Sequence, residues 1–432
     1  MHPREGYSED GTRRRTAGDI SRREFLARLG TGVGAGVALG AAGGLLAACG
    51  KSNAAPGGTS QGPVGIPLPR PNSPVTWELY STNKPIASNL QPEKGATLQI
   101  YNWVAYINQA CVDSFCKKYN CKAQITTFNT MSEAISKLET GELPFDIFFP
   151  TIDELGKLVE GKLIRPLNHS YIPNISQAWK EFANPFYDQH WRYTSPYTIY
   201  TTGISWRKDH VDENPYTMSN PWAMPWQPKY KGKVAVLDDY RETISLGLMK
   251  QGIFDLNTTD PNQIASSLAQ LQLLDKEVNV QIDNNDYTNI PDGQAWIHHA
   301  WSGDMAAAAS YMPKGVPVEV VGYWFPPDGK GPVANDLITV LTAGKNPVLS
   351  HLFINYMLDL PNVLENISFN GYMQPIEGVT PTVLVKEQIL PPSLLSTIVL
   401  PSYFDRGIME LALPAATDNA WENAWVEFSH GL

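Results

Sequence analysis

Cysteine is scarce in this chain, at four in 432 residues. That density excludes a disulfide scaffold, in which cross-links stand in for a core. Basic residues are in deficit, with 33 Lys and Arg against 43 Asp and Glu, a formal net charge of −10. A general nucleic-acid binder needs a basic face, so the balance argues against that class. The acidic sign suits a cationic ligand, but it is common among soluble proteins and decides little alone. Charged residues make up 18% and hydrophobic ones 43%, which excludes both a disordered chain and a bundle of membrane helices. No phosphate-cradling P-loop occurs, so a step driven by nucleotide hydrolysis would belong to another subunit. At roughly 150 residues per domain the length allows two or three domains. What is plentiful is aromatic surface with a polar handle, 12 Trp and 19 Tyr, suited to cores and to ligand clefts.

The N-terminal residues read as an address. Residues 21–27 are Ser-Arg-Arg-Glu-Phe-Leu-Ala, a twin-arginine pattern ahead of a Gly- and Ala-rich apolar stretch, Leu29 to Ala48. The stretch closes on Leu46-Ala47-Ala48-Cys49, which resembles a lipobox. Residues 1–48 are therefore expected to be a cleaved twin-arginine leader, with Cys49 as the lipidated first residue of the mature chain. A transmembrane helix would fit the length, but the glycines and the placement of Cys49 argue against it. No later segment is long and apolar enough to span a bilayer. The expected location is extracytoplasmic: lipid-anchored on the outer face of the cytoplasmic membrane, or periplasmic, with the two acyl chains that stable attachment requires. Residues 49–95 open on Gly, Ser, Pro, Asn and Ala and are expected to form a flexible linker.

From Thr97 the pattern alternates. Thr97–Trp103 is a short apolar run, a strand. Ile107–Tyr119 has partial helical spacing, with Asn120 at a plausible C-cap. Gln124–Phe128 is β-branched and reads as a strand, Met131–Leu138 as a helix, Phe145–Pro150 as a buried parallel strand, and Ile152–Glu160 as a helix. Repeated strand–helix–strand units give an α/β class with mixed, mostly parallel sheets flanked by helices. In such folds ligands sit beyond the carboxyl ends of strands.

That rule selects five places, and at each the sequence turns aromatic and acidic: Tyr101-Asn102-Trp103-Val104-Ala105-Tyr106, Pro150-Thr151-Ile152-Asp153, Asp238-Asp239-Tyr240-Arg241-Glu242, Trp301-Ser302-Gly303-Asp304 and Ala334-Asn335-Asp336. Each ammonium of an aliphatic polycation wants a carboxylate. The methylenes between want flat apolar walls, and an indole face also attracts the cation by about 0.5–2 kcal/mol. Simpler readings stand beside this one: Asp153 and Asp304 each adjoin a helix start and could serve as caps, and Trp103 could be core packing. His298 and His299 are adjacent on a strand, point to opposite faces and cannot easily share a metal ion. Cys111, Cys116 and Cys121 have no zinc-module spacing; outside the cytoplasm Cys121 could pair with Cys111 or Cys116, leaving one thiol over. No base or oxyanion device accompanies them, so a cysteine enzyme is disfavoured.

Several motifs carry a resemblance. Ile100-Tyr101-Asn102-Trp103, Tyr230-Lys231-Gly232-Lys233-Val234-Ala235, Leu237-Asp238-Asp239-Tyr240-Arg241-Glu242, Asn257-Thr258-Thr259-Asp260-Pro261, Trp301-Ser302-Gly303-Asp304 and Gly371-Tyr372 resemble, in order and spacing, the spermidine/putrescine-binding proteins of polyamine ABC importers. These are type II bacterial solute-binding proteins. The resemblance runs from about Thr97 to at least Pro375. It implies a two-lobed fold with a cleft between lobes, no cofactor, no metal and no enzymatic activity. The partners implied are a polyamine and the permease and ATPase subunits of an importer, with the binding protein itself a monomer. It implies ligand-facing roles for Trp103, Tyr106, Thr151, Asp239, Glu242, Trp301, Asp304, Asp336 and Tyr372. Lobe 1 would hold residues 96–201 and 335–380, and lobe 2 residues 202–334 and 381–432. Two departures from the family pattern matter. Asp153 could add a further negative group, which would favour an amine longer or more highly charged than putrescine. Ala334 stands where an aromatic is common, and Trp324 or Phe325 could replace that wall. A binding protein for another small organic cation or amino-acid derivative remains open, as does, from a different class, a surface enzyme or adhesin on the same fold.

Overall fold

The computed structural model describes residues 65–431 apart from Glu142. The twin-arginine pattern and Cys49 lie outside the described residues. Ten strands are arranged around one long one: β1 Thr97–Trp103, β2 Lys122–Phe128, β3 Ile147–Phe148, β4 Ile164–Arg165, β5 Thr194–Arg207, β6 Val234–Val236, β7 Gln281–Ile282, β8 Ile297–Trp301, β9 Val321–Trp324 and β10 Val333–Leu341. The order is β2-β1-β3-β10-β5-β8-β6-β7, with β4 on β10 and β9 on β5. The outer pairs β1–β2, β1–β3, β6–β7 and β6–β8 are parallel, and every pair involving β5 or β10 is antiparallel. The result is a mixed α/β fold.

The fourteen residues of β5 make it the spine. Its first part, Thr194–Thr201, pairs with β10; its second, Thr202–Arg207, pairs with β8 and β9. Two lobes share this strand. Lobe 1 holds β1 to β4 with helices α1 Gln109–Tyr119, α2 Met131–Thr140 and α3 Leu155–Glu160. Lobe 2 holds β6 to β9 with α4 Tyr240–Met249, α5 Pro261–Val278, α6 Asp286–Asp292 and α7 Ser302–Ala306. Helices α8 Pro347–Met357 and α9 Leu360–Asn370 return to lobe 1. They are followed by α10 Pro381–Lys386, and α11 Ala415–Ser429 closes the chain on lobe 2. One apolar cluster runs through lobe 1, including Ile100, Phe115, Phe148 and Phe353, and extends to Ala300 and Tyr323. The other, around Trp222, Leu248, Leu271 and Trp421, fills the remainder of lobe 2.

Local chemistry sets the element ends. Asn108 caps α1 by accepting from Ala110 N, so the helix begins at Gln109 rather than Ile107, and Asn120 ends it in the left-handed conformation. The third strand is shorter than the apolar run 145–150, because only Ile147 and Phe148 find ladder partners. The helix expected from Ile152 starts at Leu155. Cys111, Cys116 and Cys121 are free thiols. Cys116 and Cys121 meet where the α1 cap closes, with Cys121 N donating to Cys116 O at 3.0 Å.

The expectation of a flexible linker through residue 95 is corrected for residues 65–95. Composition hid three anchors there. Trp77 is 1% exposed, and its Nε1 donates to Tyr187 O at 2.8 Å. Asn83 Nδ2 donates to Ile164 O at 2.7 Å, and both Glu93 oxygens accept the α8 amides of Val348 and Leu349. Substitution Trp77→Ala should cost about 3–5 kcal/mol, the scale for an emptied aromatic core position, measured by urea unfolding. A floppy linker would give no change.

Candidate functional site

The site begins with the alternation of β5. Side chains two apart on a strand share a face, which places Thr198, Tyr200 and Thr202 together. Their cross-strand partners lie on the same face: Asp336 opposite Thr198, Ala334 opposite Tyr200 and Trp301 opposite Thr202. Three positions of the shared strand thus carry the site from lobe 1 to lobe 2.

Asp336 is 4% exposed. Its Oδ2 accepts from Tyr106 Oη at 2.7 Å and its Oδ1 from Tyr200 Oη at 3.5 Å; Tyr106 Oη also contacts Thr198 Oγ1. Burial pushes its carboxyl up to about 7, with the charge of Asp153 acting in the same sense and the hydroxyl donors opposing. A rise from 3.8 to about 7 corresponds to about 4 kcal/mol against ionisation. Glu242, in the first turn of α4, is 6% exposed. Its Oε1 accepts from Thr202 Oγ1 at 2.8 Å and from the Trp301 indole at 2.8 Å. Its buried Oε2 has no hydrogen-bond partner. Burial and then repulsion by Asp239 raise the Glu242 carboxyl. No ion pair among the described residues involves Asp336 or Glu242. The neighbouring cation, Arg241, turns away: it donates to Leu411 O, Leu256 O and Asn257 Oδ1 and stacks over Trp421 at 4.9 Å.

Aromatic rings fill the space between these acids. Tyr372 meets Tyr106 edge-on at 4.9 Å and Tyr200 at 5.7 Å, and Tyr200 meets Trp301 at 6.5 Å. Tyr372 Oη donates to Asp304 Oδ2 at 3.0 Å. Trp103 is half-buried at the end of β1, its Nε1 donating to Phe149 O at 3.1 Å and its ring against Phe128 at 4.6 Å. Thr151, half-buried, follows β3 two residues beyond that carbonyl.

The structure therefore gathers Tyr106, Glu242, Trp301, Asp304, Asp336 and Tyr372 through a chain of contacts, while Trp103 is engaged with Phe149 O and Phe128. Asp239 is the N-cap of α4: its Oδ1 accepts from Arg241 N and Glu242 N. That bond supports Glu242 in position as well as presenting a charge. Capping by Asp153 is corrected, since Glu154 occupies the N-cap position of α3. Asp153 instead acts on Asp336, Asp239 and Glu154 as a negative neighbour. Capping by Asp304 is corrected too, because Trp301 is the N-cap of α7 and Asp304 lies inside the helix. The wall opposite Ala334 is Tyr200, not Trp324 or Phe325, which pack against Trp222 and Tyr403. His298 Nε2 lies 3.5 Å from Asp283. Burial lowers the His299 imidazole to about 3, so it stays neutral.

Sequence reasoning missed Thr198, Tyr200 and Thr202, because β5 is buried along nearly its whole length and its polarity does not mark one face. It also missed Glu410, which accepts from Ser245 Oγ at 2.9 Å. Ser245 lies one helical turn after Glu242, so Glu410 meets the face of α4 that carries Glu242. Burial, then repulsion by Glu242, raises the Glu410 carboxyl strongly. Asn257, in a motif noted for its resemblance alone, holds this segment: Nδ2 donates to Met409 O and Oδ1 accepts from Leu411 N, both at 2.8 Å.

A family model described as "Bacterial extracellular solute-binding protein" matches residues 110–391, and the chain belongs to that family. It is 27% identical over 281 residues to the spermidine/putrescine-binding periplasmic protein of Escherichia coli, covering 65% of this chain and 77% of that one. It is 26% identical over 301 residues to the putrescine/cadaverine-binding protein of Pseudomonas aeruginosa, covering 68% and 84%. Among solved structures, a putative spermidine/putrescine ABC transporter protein from Listeria monocytogenes matches with a TM-score of 0.67 and 24% identity, over 78% of this chain and 99% of that one. The two-lobed fold is that of type II periplasmic binding proteins.

The Asp336 carboxyl has a sharp consequence. Between its unfolded value of 3.8 and its folded value of about 7, the folded state binds more protons than the unfolded one. The stability of the free protein should therefore fall as pH rises through that window. Asp336→Asn should flatten the Asp336 part of this slope and raise the melting temperature at pH 8. A variant less stable than the parent at pH 8 would contradict it.

Proposed function

We propose that this extracellular solute-binding protein captures a linear aliphatic polyamine of the spermidine/putrescine class between its lobes and delivers it to an ABC permease driven by a separate ATPase. The observation that carries the reading is the pair Asp336 and Glu242, buried acids without a counter-ion on either side of Tyr200. Water cannot neutralise them at that depth, and leaving both ionised and unpaired is costly. An ammonium beside each supplies the missing charge. The Tyr106, Tyr200, Tyr372 and Trp301 rings line the path between, where methylenes gain from leaving water. The names of the relatives support the same ligand class. The protein holds the amine and does no chemistry on it.

Capture proceeds by hinge motion about the shared strand. Tyr106 and Asp336 stand on one lobe and Glu242, Trp301 and Asp304 on the other, so a bridging ligand favours the arrangement in which both reach it. Asp239 fixes the first turn of α4, and Asp153 adds field between the two sides. This acid set favours spermidine over putrescine. The twin-arginine leader and a lipid on Cys49 belong to the same reading. They would hold the protein, as a monomer, at the outer membrane face beside its permease.

A thermal-shift panel followed by calorimetry tests it, comparing putrescine, cadaverine, spermidine, spermine, γ-aminobutyrate, choline and a sugar. Amines with two or more ammoniums should raise the melting temperature, and a response to sugar or choline alone would overturn the class. Tight putrescine binding with no spermidine binding would refute the longer-amine preference. Asp336→Asn should weaken spermidine by about 100-fold, the scale of a buried charge left unpaired, and Trp301→Ala by about ten-fold. Affinity should rise from pH 6 to pH 8 as Asp336 ionises. If neither substitution weakens binding, the site assignment fails.

A further inference from the structure

The segment ahead of β1 touches both lobes. Beyond residue 75 it is fixed to lobe 1. Val75 N donates to Phe186 O and Gln189 N to Val75 O, at 2.8 and 3.0 Å. Tyr193 Oη donates to Glu78 O at 2.6 Å, and the Trp77 indole is buried as described. Ahead of residue 75 the chain bridges the lobes, lying on lobe 1 at Ile66 and reaching lobe 2 at Arg70. Ile66 lies on α3 so closely that a Cβ added at Gly156 would stand 2.8 Å from Ile66 Cγ2 and 3.3 Å from the Trp77 ring. Arg70, in a turn where Arg70 N donates to Ser73 O and Ser73 N to Arg70 O, then reaches lobe 2, and its Nη2 donates to Ala412 O at 2.7 Å. The preceding carbonyl, Leu411 O, is taken from inside lobe 2 by Arg241 Nη1 at 2.9 Å. Two guanidinium groups thus grip consecutive carbonyls of one segment, one from each side.

Beneath this crossing is a small recess, lined by Asp153, Glu154 and Lys157 of lobe 1 and by Tyr240, Arg241 and Asp418 of lobe 2. Lys157 Nζ bonds Glu154 at 2.9 Å and lies 3.8 Å from Asp418 across the gap, and Tyr240 Oη donates to the same Asp418 at 2.8 Å. The recess marks where the lobes approach without filling the space, and the crossing segment roofs it.

We propose that residues 66–77 form a strap that latches the lobes together: anchored on lobe 1 by Trp77, gripping lobe 2 by Arg70, and holding the cleft in the arrangement seen here. A contact made only when the lobes are close stabilises that arrangement by its own free energy. The Arg70 bond is such a contact, because its two ends sit on bodies that hinge motion separates. Its acceptor is a main-chain carbonyl, so the grip does not depend on which side chains lobe 2 presents. Losing it shifts the free protein towards open forms and shortens the life of any complex in the cleft. The lobe-2 side of the recess includes Tyr240 and Arg241, the residues that flank Glu242's turn, so the strap and the ligand pull on the same helix end.

The test uses the full chain with Arg70→Ala and, separately, Ile66→Asp, in two measurements. Small-angle scattering of the free protein should show a larger radius of gyration for Arg70→Ala, and stopped-flow release of spermidine should be about ten-fold faster, the scale of one charged hydrogen bond. Urea midpoints check that each variant is folded, and Ile66→Asp repeats the test on a contact that does not involve Arg70. Either response in either folded variant supports the latch. An unchanged radius and an unchanged release rate in both overturns it. The scattering arm needs no ligand, so it distinguishes failure of the latch from failure of the polyamine reading.

Discussion

Charge without a counter-charge, placed where water cannot reach, is the constraint around which this molecule is built. Asp336 and Glu242 are both more than nine-tenths buried. The nearby cation, Arg241, is committed to carbonyls and to an indole. In a protein selected for stability alone, such acids would be paired or replaced. Under the polyamine reading their retention leaves the free protein short of two positive charges, which a bound diamine would supply. Hydroxyl donors from Tyr106, Tyr200 and Thr202 moderate the cost, because each bond to the ionised form opposes part of the desolvation.

The second constraint is geometric. One strand serves both lobes: β5 pairs with β10 over its first part and with β8 and β9 over its second. The side chains on one face of that strand, Thr198, Tyr200 and Thr202, stand where the lobes join. From there Tyr200 and Thr202 donate to Asp336 and Glu242, so one element orients an acid on each side.

Much of this was legible in the chain. The first strand is found with its expected bounds, Thr97 to Trp103, because an apolar run between polar turns leaves little choice. Asn120 is the cap its position promised. Aromatic and acidic residues after strand ends pointed to Tyr106, Glu242, Trp301 and Asp336. Tyr200 was hidden because β5 is buried along almost its whole length, so period-two alternation of polarity does not mark a face. Glu410 was hidden because its approach depends on Asn257, 153 residues earlier, reading the backbone on both sides of it. Residues 65–95 were misjudged because proline, serine and asparagine dominate the composition there, while one tryptophan and a few main-chain bonds decide the structure.

Asn257 has an implication for how the segment around Glu410 can change. Its amide bonds the main chain on both sides of Glu410, its oxygen also accepts from Arg241 Nη2, and none of these bonds touches the Glu410 side chain. Position 410 can therefore be exchanged while the neighbouring backbone keeps its path. A lineage could swap the acid for an amide, a hydroxyl or a ring without redrawing the path of residues 409–411. The scaffold separates the part that must be kept from the part that is free to drift.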